Sequence, residues 1–168
     1  DFRVALLIFQ AFNDPELNDQ EKALVMMDCL YEDLDSMPQE DYQEAYDQAV
    51  WFLDGGIQED ETKYRASKKV LDWEQDEQMI FSAVNKVAGK EIRAVDYLHW
   101  WTFLGYFNEI GEGLLSTVIS IRQKKNKGKR LEKYEQEFYR ENKPLIDIKV
   151  KLTPEEQAEK EYFEKLLE

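Results

Sequence analysis

The chain is poor in the residues that most chemistry needs. Cys29 is the only cysteine among 168 residues, which excludes an intrachain disulfide and a thiolate metal cluster. His99 is the only histidine, so the second imidazole of a usual zinc site is missing. No glycine-rich phosphate loop is present. No apolar run approaches the ~20 residues that a membrane-crossing helix requires, and no signal-peptide pattern is visible. The chain opens on Asp1 rather than Met, so a segment before it stays open. Positive charge is scarce as well: 22 Lys and Arg stand against 36 Asp and Glu, a net charge of −14. Such a surface repels the phosphate backbone of nucleic acids and anionic membranes. It favours solubility, or a partner with basic patches. One cysteine fits a reducing cytoplasm.

What is present points to a packed core. Hydrophobic residues make up 43% of the chain and aromatics 13%. The length suits one domain with an appendage. The densest apolar stretch, Asp96 to Phe107, holds His99, Trp100 and Trp101. Read as a helix, it is apolar nearly all round, and such a helix is buried on most sides. The expectation is a mainly α fold, a compact multi-helix domain around a central aromatic-rich helix at about 94–110. Tyr97, His99, Trp100, Trp101, Phe103 and Leu104 are its core residues. Asp96 and His99 share a face. Without further ligands, the lone histidine reads as a hydrogen-bonded structural residue rather than a catalytic or metal-binding one. Trp100 and Trp101 point about 100° apart, and core is the reading for both over a partner-binding hot spot.

Other helices are expected around it. The first spans 2–12, exposed around Arg3 and Gln10, until Asn13-Asp14-Pro15 breaks it. Asn18 with Glu21 forms a capping-box pattern for a second, carrying Ala23, Leu24, Met27, Leu30 and Tyr31. Cys29 reads as a small core residue. Ser36 with Gln39 opens a third, which buries Tyr42, Ala45, Tyr46, Ala49, Val50 and Leu53, and Asp54-Gly55-Gly56 stops it. Residues 57–70 read as a loop. A fourth helix, capped by Asp72 and Gln75, turns Asp76, Ile80, Ala83, Val84 and Val87 inward and ends at Gly89. A buried Asp76 needs a donor, with His99 or a tyrosine as candidates. Leu114 to Ile121 fits either helix or strand. A last core-type helix is expected at 130–141.

Two stretches stand apart. Residues 122–130 are the only basic run in an acidic chain. An acidic neighbour subunit or the chain's own helices suit it better than nucleic acid. After Pro144, Ile146, Ile148, Val150 and Leu152 alternate with polar residues, a strand-like pattern, before Thr153-Pro154-Glu155-Glu156 opens a charged terminal helix. The domain reading is therefore a helical domain at 1–143 and, at 144–168, an extended arm plus a short helix. A lone strand in a helical chain packs as an arm or pairs with another molecule. Arg122, Lys124, Lys125, Ile146, Ile148, Val150 and Leu152 are the candidate partner-binding residues. No catalytic, cofactor-binding or metal-binding set is assigned, and no cofactor is expected.

Several segments together resemble a tailed-phage family, the "gene product fifteen" family first named in a Listeria phage and found in phages and prophages of Gram-positive bacteria. They are Asp1-Phe2-Arg3, Trp51-Phe52-Leu53-Asp54-Gly55-Gly56 and Trp73-Glu74-Gln75-Asp76 with Ile80 behind it. Leu98-His99-Trp100-Trp101-Thr102-Phe103 is the most specific of them. Ile119-Ser120-Ile121-Arg122 and the lysine-rich link follow. The likeness covers roughly residues 1–145. Thr102 departs from it, standing where a basic residue is expected, and the tail after Ile148 has no counterpart. By gene position such proteins look like tail assembly chaperones. The resemblance thus implies a small, non-enzymatic helical protein of the host cytoplasm that coats the tape-measure protein and is absent from the mature virion. Self-association and displacement by tail-tube subunits belong to the same picture. The alternative is a structural tail or connector protein retained in the virion. Within this picture, 145–152 is the arm that joins successive copies.

Overall fold

A computed structural model of the chain describes residues 1–57, 68–149 and 151–167. The described residues are mainly helical and contain no strand. The helices are α1 (Phe2–Phe12), α2 (Asp19–Leu30), α3 (Tyr42–Leu53), α4 (Glu77–Ala88), α5 (Trp100–Asn108), α6 (Leu114–Asn126), α7 (Lys133–Glu141), α8 (Lys143–Ile146) and α9 (Pro154–Leu167). Local chemistry sets their ends. At α2 the Asn18 side chain accepts from the N–H groups of Gln20 and Glu21, and Glu21 accepts from Asn18 N–H in return, a reciprocal capping box. Gly89 ends α4 in the left-handed conformation, at φ 69°. Ser36 does not open α3. Two single 3₁₀ turns, Leu34–Ser36 and Gln39–Asp41, precede it. The stretch from Leu114 resolves as helix and carries on through Asn126.

The chain groups into two compact units. The first joins Asp1–Phe2 to Asp54–Lys149. Its core is a cluster of rings. Phe103 stacks on Phe2 (5.0 Å between ring centres) and on Trp100 (5.4 Å), with Phe81 edge-on. Trp73 leans on Trp100 and Phe107. Such pairs add about 0.5–1.5 kcal/mol beyond the area they bury. The N-terminus is clipped in place: Phe2 N–H donates to the Leu98 carbonyl at 2.8 Å, and Leu98 N–H donates to the Asp1 carboxylate at 2.9 Å.

The central helix is shorter and more one-sided than its composition implies. It has nine residues. Trp100 and Phe103 are buried, while Leu104 is half-buried. Trp101, 36% exposed, and Tyr97, 62% exposed, are not core residues. Tyr97 precedes the helix in an extended link, so helical periodicity never governs it. Trp101 lies one step, about 100°, from the buried Trp100, and packs edge-on against the His99 ring. His99 is half-buried and caps the helix, its Nδ1 accepting from Trp101 N–H at 3.2 Å.

The second unit comprises Arg3–Leu53 and Val150–Glu168. Here α2 and α3 pack together, burying Met26, Met27, Ala45, Ala49 and Leu53. Tyr31 adds a hydroxyl bond to the Ala45 carbonyl at 2.8 Å. Three expected core positions of α3, Tyr42, Tyr46 and Val50, stay exposed, as do Leu24 and Cys29. The alanines let α3 approach closely along one row only, so the adjoining aromatic row lies outside the seam. In α9 all the described side chains, Glu155–Lys160 and Tyr162–Lys165, are exposed. Thr153 and Glu156 cap its start reciprocally.

Candidate functional site

The basic run meets three different fates along α6 and the turn beyond it. Arg122 is buried, 4% exposed. It lies on the face of α6 that carries Leu115 and Val118, so the spacing i, i+3, i+7 turns it inward with them. Its guanidinium faces Asp76, which is fully buried, across a two-pronged ion pair. The remaining N–H groups donate to the carbonyls of Ile146 at 2.6 Å, Leu145 at 2.9 Å and Val70 at 3.1 Å. Asp76 also accepts from Asp72 N–H at 2.9 Å. The donor for Asp76 is thus Arg122, not His99 or a tyrosine. One planar fork ties together α4, α6, α8 and the strand of loop before α4.

The next two cations are tethered at the rim. Lys124 donates to Glu135 at 2.6 Å, and the Glu135 side chain is nearly fully buried. That hydrogen bond holds the Glu135 carboxyl below its ordinary range, with help from Glu132 N–H. Lys125 donates to Asp147 at 2.6 Å and lies over the Tyr139 ring, 3.8 Å from its centre. Burial pushes the Asp147 carboxyl up, but hydrogen bonds from Lys125 and the Tyr139 hydroxyl bring it net below the ordinary value. Beyond Asn126 the pattern changes. Lys127, Lys129, Arg130 and Lys133 are exposed, and among the described residues no carboxylate pairs with them. Gly128, at φ 63°, turns the chain between them.

The segment expected as a strand-like arm is instead docked at its start. Leu145 and Ile146 belong to α8, and Ile146 is fully buried. Ile148 is half-buried. The Gln75 side chain brackets the backbone here, donating to the Asp147 carbonyl at 3.0 Å and accepting from Lys149 N–H at 2.9 Å. A side-chain amide thus takes the place of the neighbouring strand. The alternation of Ile146 and Ile148 therefore reports packing against the first unit, and the expected boundary at 143/144 falls inside that unit. Val150 lies outside the described residues, and Leu152 is half-buried.

One open groove of ≈ 570 Å³ lies in the same unit. Met79, Ala83 and Val87 of α4 form one wall, and Ile110, Leu114 and Leu115 the other. Glu109, Glu112 and Lys86 also line it. No group of three or more metal-ligating side chains is gathered among the described residues. No described helix is long and apolar enough to cross a membrane.

Residues 1–148 match the family model described as Bacteriophage Gp15 protein. The chain belongs to that family. No curated protein and no solved structure matches it. The Bacteriophage Gp15 match ends at Ile148, one residue before the first unit ends. It therefore includes the Arg122–Asp76 pair, the Gln75 bracket and the groove, and leaves α9 outside. Of the residues expected to bind a partner, the structure brings Arg122, Lys124, Lys125, Ile146 and Ile148 together, but around Asp76, Glu135, Asp147 and Gln75 of the same chain. The sequence pattern points to Asp76 and Gln75, whereas nothing in it points to Glu135 or Asp147. One signal was available: carrying the Leu115, Val118 period one turn further reaches Arg122.

Proposed function

We propose that this phage protein is a non-enzymatic tail assembly chaperone that binds the tape-measure protein and self-associates along it. The match to a phage family over residues 1–148 is the observation that carries this reading. The physical features suit it. A tape measure is long, helical and apt to aggregate when its apolar stripes are bare. An acidic chain of net charge −14 keeps such a complex dissolved. The groove between α4 and the start of α6 offers an apolar floor along Gln78 to Val87, a length of ~15 Å at 1.5 Å per residue. That suits about three turns of a partner helix. The protein would act in the host cytoplasm, leave when tail-tube subunits polymerise, and be absent from the mature virion.

Co-expression with the tape-measure protein of the same phage tests the reading. The two should elute together, and the tape measure should stay soluble. A tape measure that aggregates while this chain stays free and folded would remove the chaperone reading. Mass spectrometry of purified virions then separates it from a retained tail or connector component.

A further inference from the structure

Charge is distributed very unevenly along the chain. From Ala23 to Leu53 there is no lysine, arginine or histidine, against eight aspartates and glutamates. All eight are exposed. The same stretch carries an exposed apolar row: Tyr42, Tyr46 and Val50, four residues apart on α3, are 36%, 41% and 36% exposed. The row adjoins the buried Ala45, Ala49 and Leu53, so the apolar stripe of α3 is wider than the seam it makes with α2. Asp47 flanks the row on the helix itself, three residues before Val50, and Glu40 precedes it, whereas Glu44 lies on the opposite side of α3.

The turn between α6 and α7 is the opposite surface. Lys127, Lys129, Arg130 and Lys133 project there without a carboxylate partner among the described residues, while Lys124 and Lys125 just before them are held by Glu135 and Asp147. Tyr134 beside them is 61% exposed. Both patches combine exposed aromatic surface with an excess of one sign of charge, four cations to the exposed Glu132 on the turn, and the signs are opposite. Arginine and lysine over tyrosine faces add cation–π attraction to the charge pairing.

We propose that the α3 face of one copy receives the α6–α7 turn of a second copy. Lys127, Lys129 and Arg130 of the turn face Glu40 and Asp47, with Tyr42 and Tyr46 beneath them. Two different surfaces meet, so each copy keeps one unused patch of either kind. Such a contact extends into a ring or a filament rather than stopping at a pair. The proposal rests on the self-association part of the reading above and supplies its surface.

Sedimentation velocity of the full chain over a concentration series tests it. Association should rise with concentration, and its affinity should fall at least about tenfold between about 50 mM and about 500 mM salt. The variant Glu40→Lys, Asp47→Lys should be monomeric, and so should Lys127→Glu, Lys129→Glu, Arg130→Glu. An equimolar mixture should associate again, because the reversed patches are complementary and both proteins must be folded to show it. Variants that associate as the parent does, or a mixture that stays monomeric, would overturn the interface while leaving self-association standing. A parent chain that is monomeric throughout would overturn both. Tape-measure co-purification is scored separately and is unaffected by that result.

Discussion

Replacing Arg122 by methionine keeps the length and most of the volume of the side chain and deletes its five hydrogen bonds. The Asp76 carboxylate stays fully buried, retaining only Asp72 N–H. Removing one member of a buried pair costs about 3–5 kcal/mol, because the other charge is stranded. The carbonyls of Val70, Leu145 and Ile146 lose their donor too. The first two bonds are only partly buried, so water relieves them, and Ile146 adds about 1 kcal/mol or more. The expected loss is therefore about 4–6 kcal/mol, against a total of about 5–15 kcal/mol for a typical domain. Urea titration followed by tryptophan fluorescence reads it, since Trp73 and Trp100 lie in the same unit. The double variant Arg122→Met, Asp76→Leu removes both charges and should recover about 2–3 kcal/mol of the loss, a coupling that a double-mutant cycle isolates. A single variant within about 1 kcal/mol of the parent, or a double variant less stable than the single, would refute the claim that this pair holds the unit together.

The Glu135 carboxyl is held below its ordinary value of 4.5 by Lys124, so its contribution is present above that value and is lost as pH falls through the lower folded one. Lys124→Met should thus be less stable than the parent at about pH 6, with the gap closing as pH drops below about 4; a gap independent of pH would refute the linkage. Gly55 has φ 72°, and a Cβ there would meet Leu104 Cδ1 at 2.9 Å. Gly55→Ala should cost about 2 kcal/mol, or about 4–8 °C in thermal midpoint for a chain this size. Gly89→Ala shares the positive φ but meets nothing within 4 Å, so it should cost only about 1–2 kcal/mol; equal shifts would show that the Leu104 contact does not matter.

Where a single local rule decides, the sequence was readable. The Asn18–Glu21 box, the Gly89 cap and the helical period of α1 and α4 need no information beyond a few neighbouring residues, and the structure has them. Which apolar residues meet a partner is not decided locally. Tyr97, Trp101, Tyr42, Tyr46 and Leu24 have core-like side chains, yet all are exposed. Periodicity says which residues share a face. It does not say how much of that face another element covers. The alternation of Ile146 and Ile148 misled for a related reason. An extended backbone can be satisfied by one glutamine side chain, Gln75, as well as by a strand.

The basic run shows how position on a helix sorts residues of one chemical class. As a stretch of sequence it is a single cationic patch. Placed on α6 it becomes a gradient from inside to outside. Arg122 shares the buried face with Leu115 and Val118, Lys124 and Lys125 reach carboxylates at the edge, and Lys127 onward stand past the helix end. Desolvation explains why the buried member is arginine, since its fixed fork matches a carboxylate and three carbonyls at once, which an ammonium cannot do. The residue best suited to hold this unit together, Arg122, is therefore one a partner cannot reach. The cations without a carboxylate partner among the described residues begin at Lys127, so charge reversal at Lys127, Lys129 and Arg130 should affect association and leave stability nearly unchanged. Reversal at Lys124 or Lys125 should lower stability first.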